Sequence, residues 1–161
     1  MSIVEHTSAL SLDATIDRFL RTLEGQGMPP LHTLAPAEAR AMLAGIQTGE
    51  VYRFEADTED CTIAGGPGGP IALRILRPRG ESGPLPAVLY FHGGGWIMGN
   101  KDTHDRLIRE LATGAQVTVV FVEYARSPEL QYPVAVEQAY AATQWVAING
   151  ASIKVVQRGW R

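Results

Sequence analysis

A chain of 161 residues, 45% hydrophobic and 19% charged, has the balance of a single globular domain and not that of a disordered segment. The net charge of −3, with Lys and Arg scattered along the chain, excludes the basic stripe that a nucleic-acid partner requires. The one cysteine, Cys61, allows no internal disulfide, no signal-peptide pattern opens the chain, and no uncharged apolar run reaches the roughly 18 residues of a membrane span, so a cytoplasmic protein is expected.

Residues 1–50 read as a helical cap region. Leu12, Ile16, Phe19, Leu20 and Leu23 recur at three- and four-residue spacing, and so do Met42, Leu43 and Ile46. Gly25, Gly27, Pro29 and Pro30 separate the two helices, Pro36 and Glu38 suit a first turn, and Gly49 lies beyond the second helix.

The core reads as residues 51–150. Val51 to Asp57 and Ile71 to Arg77 are expected as strands, an antiparallel entry to a sheet, separated by a loop from Cys61 to Pro70 with its Gly65 to Gly69 run. Ala87 to Phe91 and Val117 to Val122 are nearly unbroken apolar runs, which predicts central parallel strands covered on both faces. A crossover helix between them starts from an N-cap at Asp102 or Thr103, ends before Gly114, and buries Leu107, Ile108, Leu111 and Ala112. A last helix from Pro133 to Ala147 is expected to turn Val136, Ala139, Tyr140, Thr143 and Val146 inward. Residues 151–161 form a divergent tail, with Ser152 to Gln157 as a strand stub.

The chemistry concentrates where the strand ending Val88-Leu89-Tyr90-Phe91 runs into His92-Gly93-Gly94-Gly95-Trp96. Consecutive glycines let the backbone turn sharply and leave amide N–H groups pointing into open space, a device for holding the negative oxygen that forms when a carbonyl is attacked. This strand followed by His and three glycines resembles the oxyanion-hole loop of the hormone-sensitive lipase type of α/β-hydrolase. Asn100, Thr103 and His104 follow at that family's spacing, and Glu123-Tyr124-Ala125-Arg126-Ser127-Pro128-Glu129 with Tyr132-Pro133 is similar to its Asp-Tyr-Arg-Leu-Ala-Pro-Glu and Tyr-Pro segments, departing at Ala125 to Ser127. The likeness covers about residues 50–148.

The resemblance implies an α/β fold, a partial α/β-hydrolase with a mixed sheet and a helical N-terminal cap, truncated before the nucleophile elbow. It implies a carboxylic ester hydrolase, an esterase or lipase, acting on small-molecule esters through an acyl-enzyme without cofactor or metal. It assigns oxyanion-hole donation to the amides of Gly94 and Gly95, with Gly93 shaping the turn, His92 orienting the loop and Trp96 beside it. The family's Gly-x-Ser-x-Gly elbow and the Asp or Glu and His that follow it are missing. Ser82 lies in a Gly/Pro loop, Ser127 precedes Pro128, and Ser152 lacks the second glycine. No catalytic residue is therefore assigned, and the chain is expected to have negligible activity, its end after Asn149 fitting a frameshift, early stop or truncation. An apolar strand edge is expected to promote self-association or aggregation.

Other readings remain at this point. A non-catalytic remnant acting as an interaction module fits the missing triad. A dinucleotide-binding unit, with Glu123 on a ribose, fits a glycine loop between strand and helix, but Gly95 and Gly99 are separated by three residues where that fingerprint has two. Triple glycine can also be a purely structural turn. His104 reads as a surface or capping residue, His6 and His32 have no metal-ligand pattern around them, Glu123 and Glu129 read as loop braces, and Cys61 as an inert thiol.

Overall fold

The computed structural model describes residues 12–47 and 49–156. His6 and the tail beyond Val156 lie outside the described residues. The chain divides between Leu34 and Ala35 into two compact units. In the first, helix α1 (Ala14–Gly25) starts where the Asp13 carboxylate accepts the Thr15 N–H at 2.8 Å, satisfying one of the orphan amides of a helix start.

The second unit opens with α2 (Pro36–Ile46), with Pro36 in its first turn and the Glu38 carboxylate accepting the Ala35 N–H at 3.2 Å. A four-stranded mixed sheet follows, β1 (Ala56–Ile63), β2 (Ile71–Pro78), β3 (Ala87–Tyr90) and β4 (Thr118–Glu123), in the order β1-β2-β4-β3. β2 is antiparallel to both neighbours, and β3 pairs parallel with β4 through the crossover helix α3 (Asp105–Ala115). Helix α4 (Val134–Asn149) comes last, followed by a short turn of 3-10 helix at Gly150–Ile153.

The apolar run of β4 has the explanation its composition suggested. Val120 and Val122 join Ile71, Leu73 and Ile75 of β2 against Ala142 and Val146 of α4, while Val119 and Phe121 join Leu76 against Ile108 and Ala112 of α3. Both sheet faces are covered at β4, so every residue but the last is buried.

Several expectations need correction. The first strand runs from Ala56 to Ile63, so Val51 to Glu55 precede it and Cys61 lies within it. Pairing with β2 selects this polar stretch, because an edge strand needs its backbone ladder and only one apolar face, here Cys61 and Ile63. β3 is central in composition only: among the described residues β4 is its one strand partner, and Val88 is 39% exposed.

The crossover helix starts at Asp105 because Asp102 and Thr103 are taken up in a tight turn, both donating their N–H groups to the Asn100 side-chain oxygen at 3.0 and 2.9 Å. That helix also continues through Gly114 to Ala115, where Gln116 in the left-handed region stops it. Of its predicted inner face, Ile108 and Ala112 are buried, whereas Leu107 is 42% exposed.

In α4 the inner face is Gln138, Ala142 and Val146, while Val136 and Tyr140 are 53% and 64% exposed. The helix is apolar on several sides, so periodicity leaves its orientation open, and Gln138 sets it. Its side-chain oxygen accepts the Ala125 N–H at 2.7 Å and its amide donates to the Pro67 carbonyl at 3.1 Å, satisfying two loops that would otherwise be buried with open groups. The Gly65 to Gly69 loop packs against this helix: a side chain at Gly68 would overlap Leu130 and Val134.

Beyond α4 the chain returns to the sheet. Leu85 donates to the Lys154 carbonyl at 3.0 Å and accepts from Val156 at 2.8 Å, a parallel bridge to Val155 just ahead of β3. The expected strand stub is thus a single bridge among the described residues. Arg77 secures it, donating to Thr118 Oγ1 at 2.8 Å, to the Lys154 carbonyl at 3.0 Å and to the carbonyl of Gly83.

Candidate functional site

The site grows from the end of β3. Gly94, Gly95 and Trp96 have φ values of 130°, 61° and 57°, so three successive residues occupy backbone regions that side chains disfavour. Gly94 is obligatory: a Cβ there would collide with the Met98 carbonyl. The Gly94 carbonyl accepts the N–H groups of Ile97 and Met98 at 3.2 and 2.9 Å, closing the turn. The amides of Gly94 and Gly95 donate to no acceptor among the described residues, and both glycines line a cavity of about 340 Å³. Its other walls include His92, Trp96 and Tyr124, with Ala135 and Val136 of α4.

His92 is 3% exposed and stacks on Tyr124, with ring centroids 4.3 Å apart and planes 9° apart, and on Phe121 at 5.4 Å and 4°. Its Nδ1 lies 2.9 Å from the Gly93 carbonyl, which can only accept, so Nδ1 carries the proton. The other nitrogen, Nε2, is buried without a hydrogen-bond partner among the described residues. Burial pushes the imidazole pKa down from 6.5, and the Gly93 hydrogen bond only partly opposes this, so the ring is neutral at pH 7. The peptide whose oxygen His92 holds is the one that carries the Gly94 N–H.

A second cavity of about 390 Å³ shares Gly95, Trp96, Ala135 and Val136 with the first. Its remaining lining is mostly apolar, from Ile97, Leu130, Tyr132 and Pro133. The loop after β4 forms its far wall and is tied to the glycine loop, Ser127 N–H donating to the Trp96 carbonyl at 2.8 Å and Arg126 to the Gly99 carbonyl at 2.6 Å.

The remaining singled-out residues are used locally. His104 Nδ1 lies 3.0 Å from Thr103 Oγ1 and 3.2 Å from the Asn100 carbonyl, its ring 5.4 Å from that of His92. Glu123 accepts the Lys101 N–H at 2.9 Å, and Glu129 pairs with Arg40. The hydroxyls of Ser127 and Ser152 donate to the carbonyls of Leu130 and Asn149. Burial, reinforced by Glu59 and Asp60, pushes the Cys61 thiol pKa up, away from reactivity. No cluster of three metal-ligating side chains occurs among the described residues.

Sequence reasoning missed Arg40, Arg126 and Gln138, whose partners lie far along the chain or on another element. It singled out the segment carrying Tyr124 but gave the tyrosine no role, for nothing in the spacing signals a ring that stacks on His92.

A family described by the alpha/beta hydrolase fold matches residues 88–158. Esterase LipI of Mycobacterium tuberculosis is 50% identical over 90 residues, 55% of this chain and 28% of that protein. Carboxylesterase NlhH of the same organism is 38% identical over 115 residues, 71% of this chain and 36% of the relative. The crystal structure of a thermostable esterase from Pseudomonas putida superposes with a TM-score of 0.85 at 43% identity, covering 89% of this chain and 45% of that one. This chain thus spans less than half the length of each. The likenesses and the strand-to-glycine turn together show that the chain has the α/β-hydrolase fold and is similar to esterases over the part of them that it spans.

Proposed function

We propose that these residues form the oxyanion-binding half of a carboxylic ester hydrolase site. The amides of Gly94 and Gly95 receive the ester carbonyl oxygen as it becomes negative, Gly93 shapes the turn, and neutral His92 holds the Gly93 carbonyl so that the Gly94 N–H points into the cavity. The observation that carries the reading is that the Gly94 and Gly95 amides are unspent among the described residues and that both glycines line the same cavity. Preorganised donors of this kind are worth about 2.7–4 kcal/mol each to an acyl-transfer transition state.

The chemistry has three parts in this family: a serine forms the acyl-enzyme, a histidine moves the proton, and an acid orients the histidine. Residues 1–161 contain no Gly-x-Ser-x-Gly elbow, and the hydroxyls of Ser127 and Ser152 are committed to carbonyls. The chain by itself therefore binds but does not turn over, and it takes small esters of apolar groups without a cofactor.

Two measurements test this. The purified chain should leave p-nitrophenyl butyrate hydrolysis at the buffer rate, and reproducible turnover that survives replacement of every serine would refute the missing-nucleophile argument. Butyrate, whose carboxylate imitates the oxyanion, should shift the Gly94 and Gly95 amide resonances saturably, and a flat titration at both glycines would refute the oxyanion assignment.

A further inference from the structure

Arg40 lies on α2, outside every motif of the glycine loop, yet its guanidinium makes four hydrogen bonds around the site. Nε donates to the Ile97 carbonyl at 2.7 Å and Nη2 to the Ser127 carbonyl at 2.8 Å. Nη1 and Nη2 grip the two carboxylate oxygens of Glu129 at 2.6 and 2.8 Å. The side chain is 19% exposed, and Ile97 and Ser127 belong to the two loops that wall the apolar cavity.

The consequence follows from peptide geometry. In a trans peptide the C=O of one residue and the N–H of the next lie in one plane and point oppositely. The Ile97 carbonyl that Arg40 holds therefore shares its peptide with the Met98 N–H, which donates to the Gly94 carbonyl at 2.9 Å. The Gly94 carbonyl in turn shares its peptide with the Gly95 N–H. A cation, two peptide groups and a free amide make one directed series: Arg40 to Ile97, Met98 to Gly94, and Gly95 into the cavity. Hydrogen bonds in series polarise one another, each strengthening the next by about 10–30%.

We propose that Arg40 is a positioning residue for the oxyanion site, orienting and polarising the Gly95 amide through the Ile97–Met98 and Gly94–Gly95 peptides. The inference rests on the oxyanion reading of the loop and extends it to a residue 57 positions before Ile97. It divides the labour in the site. His92 controls the Gly94 amide through the Gly93 carbonyl, whereas Arg40 controls the Gly95 amide, and the two series share no hydrogen bond. Glu129 and the Ser127 carbonyl fix the plane of the guanidinium, a task that needs a forked donor.

The test is amide NMR of the full chain with butyrate as the probe, comparing wild type, Arg40→Met, Arg40→Lys and Glu129→Gln, each checked for folding by its thermal melt. Arg40→Met should move the Gly95 amide proton upfield, leave the Gly94 resonance near its wild-type position, and weaken butyrate binding by about three- to tenfold. A general loosening of the loop would instead move both glycines together, so that result overturns the proposal. So does a folded Arg40→Met protein with wild-type Gly95 resonance and affinity.

If Arg40→Met does not fold, Arg40→Lys decides, since it keeps the charge and loses the fork: Gly95 must still move, by less, and an unmoved resonance overturns the proposal. Glu129→Gln should shift Gly95 least, because the Arg40 to Ile97 bond survives, and a shift as large as that of Arg40→Met counts against the series. Should butyrate shift neither glycine in wild type, the oxyanion reading fails, while the Gly95 resonance of the variants without ligand still tests the Arg40 connection.

Discussion

Tyr124 closes over His92 from the end of β4: the rings stack at 4.3 Å, and the Tyr124 hydroxyl donates to the His92 backbone carbonyl. One side chain thus holds both the ring and the backbone of the residue from which the glycine turn departs.

Tyr124→Phe keeps the stack and removes the donor. Tyr124 is 7% exposed and His92 3%, so the abandoned carbonyl has no ready access to water. Stability should fall by about 1–3 kcal/mol, the cost of leaving a buried acceptor unsatisfied. Urea unfolding at neutral pH measures this, and an unchanged midpoint would show that the hydroxyl contributes nothing.

Gly94→Ala and Gly95→Ala should separate strongly. At Gly94 the φ of 130° costs an alanine about 1–3 kcal/mol, and its Cβ would also meet the Met98 carbonyl, so the turn has to open. At Gly95 nothing lies within 4 Å of the new Cβ, and the φ of 61° costs about 1–2 kcal/mol. The first variant should lose the loop resonances of the wild type and the second should keep them; equal effects would argue against a backbone origin.

His92 and Glu129 both contribute to the response to acid. Burial holds the folded pKa of His92 below 6.5, so as pH falls through that value the unfolded chain takes up the proton first and stability declines. Glu129 is displaced from 4.5 to about 2 by its hydrogen bonds with Arg40, so the pair contributes above pH 4.5 and is lost as pH falls towards 2. Denaturation midpoints should therefore be level above pH 6.5 with respect to these groups and drop below it. Glu129→Gln should reduce the slope between pH 4.5 and 2, leaving the share of Asp60, whose carboxyl Arg74 and Lys101 hold well below its usual range, and the part that begins near 6.5.

Among the described residues the outer edge of β3 is guarded only near Leu85, by the bridge to Val155, and Val88 and Phe91 are 39% and 42% exposed farther along. Open strand edges of this kind template association. Sedimentation velocity should show mass rising with concentration, and Val88→Lys should shift the distribution towards monomer. A monomer at every concentration would remove the edge from consideration.

Much of this architecture was legible in local pattern. The run from Thr118 to Val122 reads as a buried strand because α3 and α4 cover both faces, and the glycines after His92 read as a turn that exposes amides because no side chain tolerates the Gly94 geometry. These features depend on what each residue is and on its immediate neighbours. Tertiary structure decided where β1 begins, which side of α4 faces the sheet, and which side chains hold the loop. β1 follows the ladder offered by β2, α4 is turned by the buried amide of Gln138, and Arg40 reaches its acceptors only once α2 and two loops have converged. Polar partners separated by many positions leave no period in the chain, because their distance is set by packing.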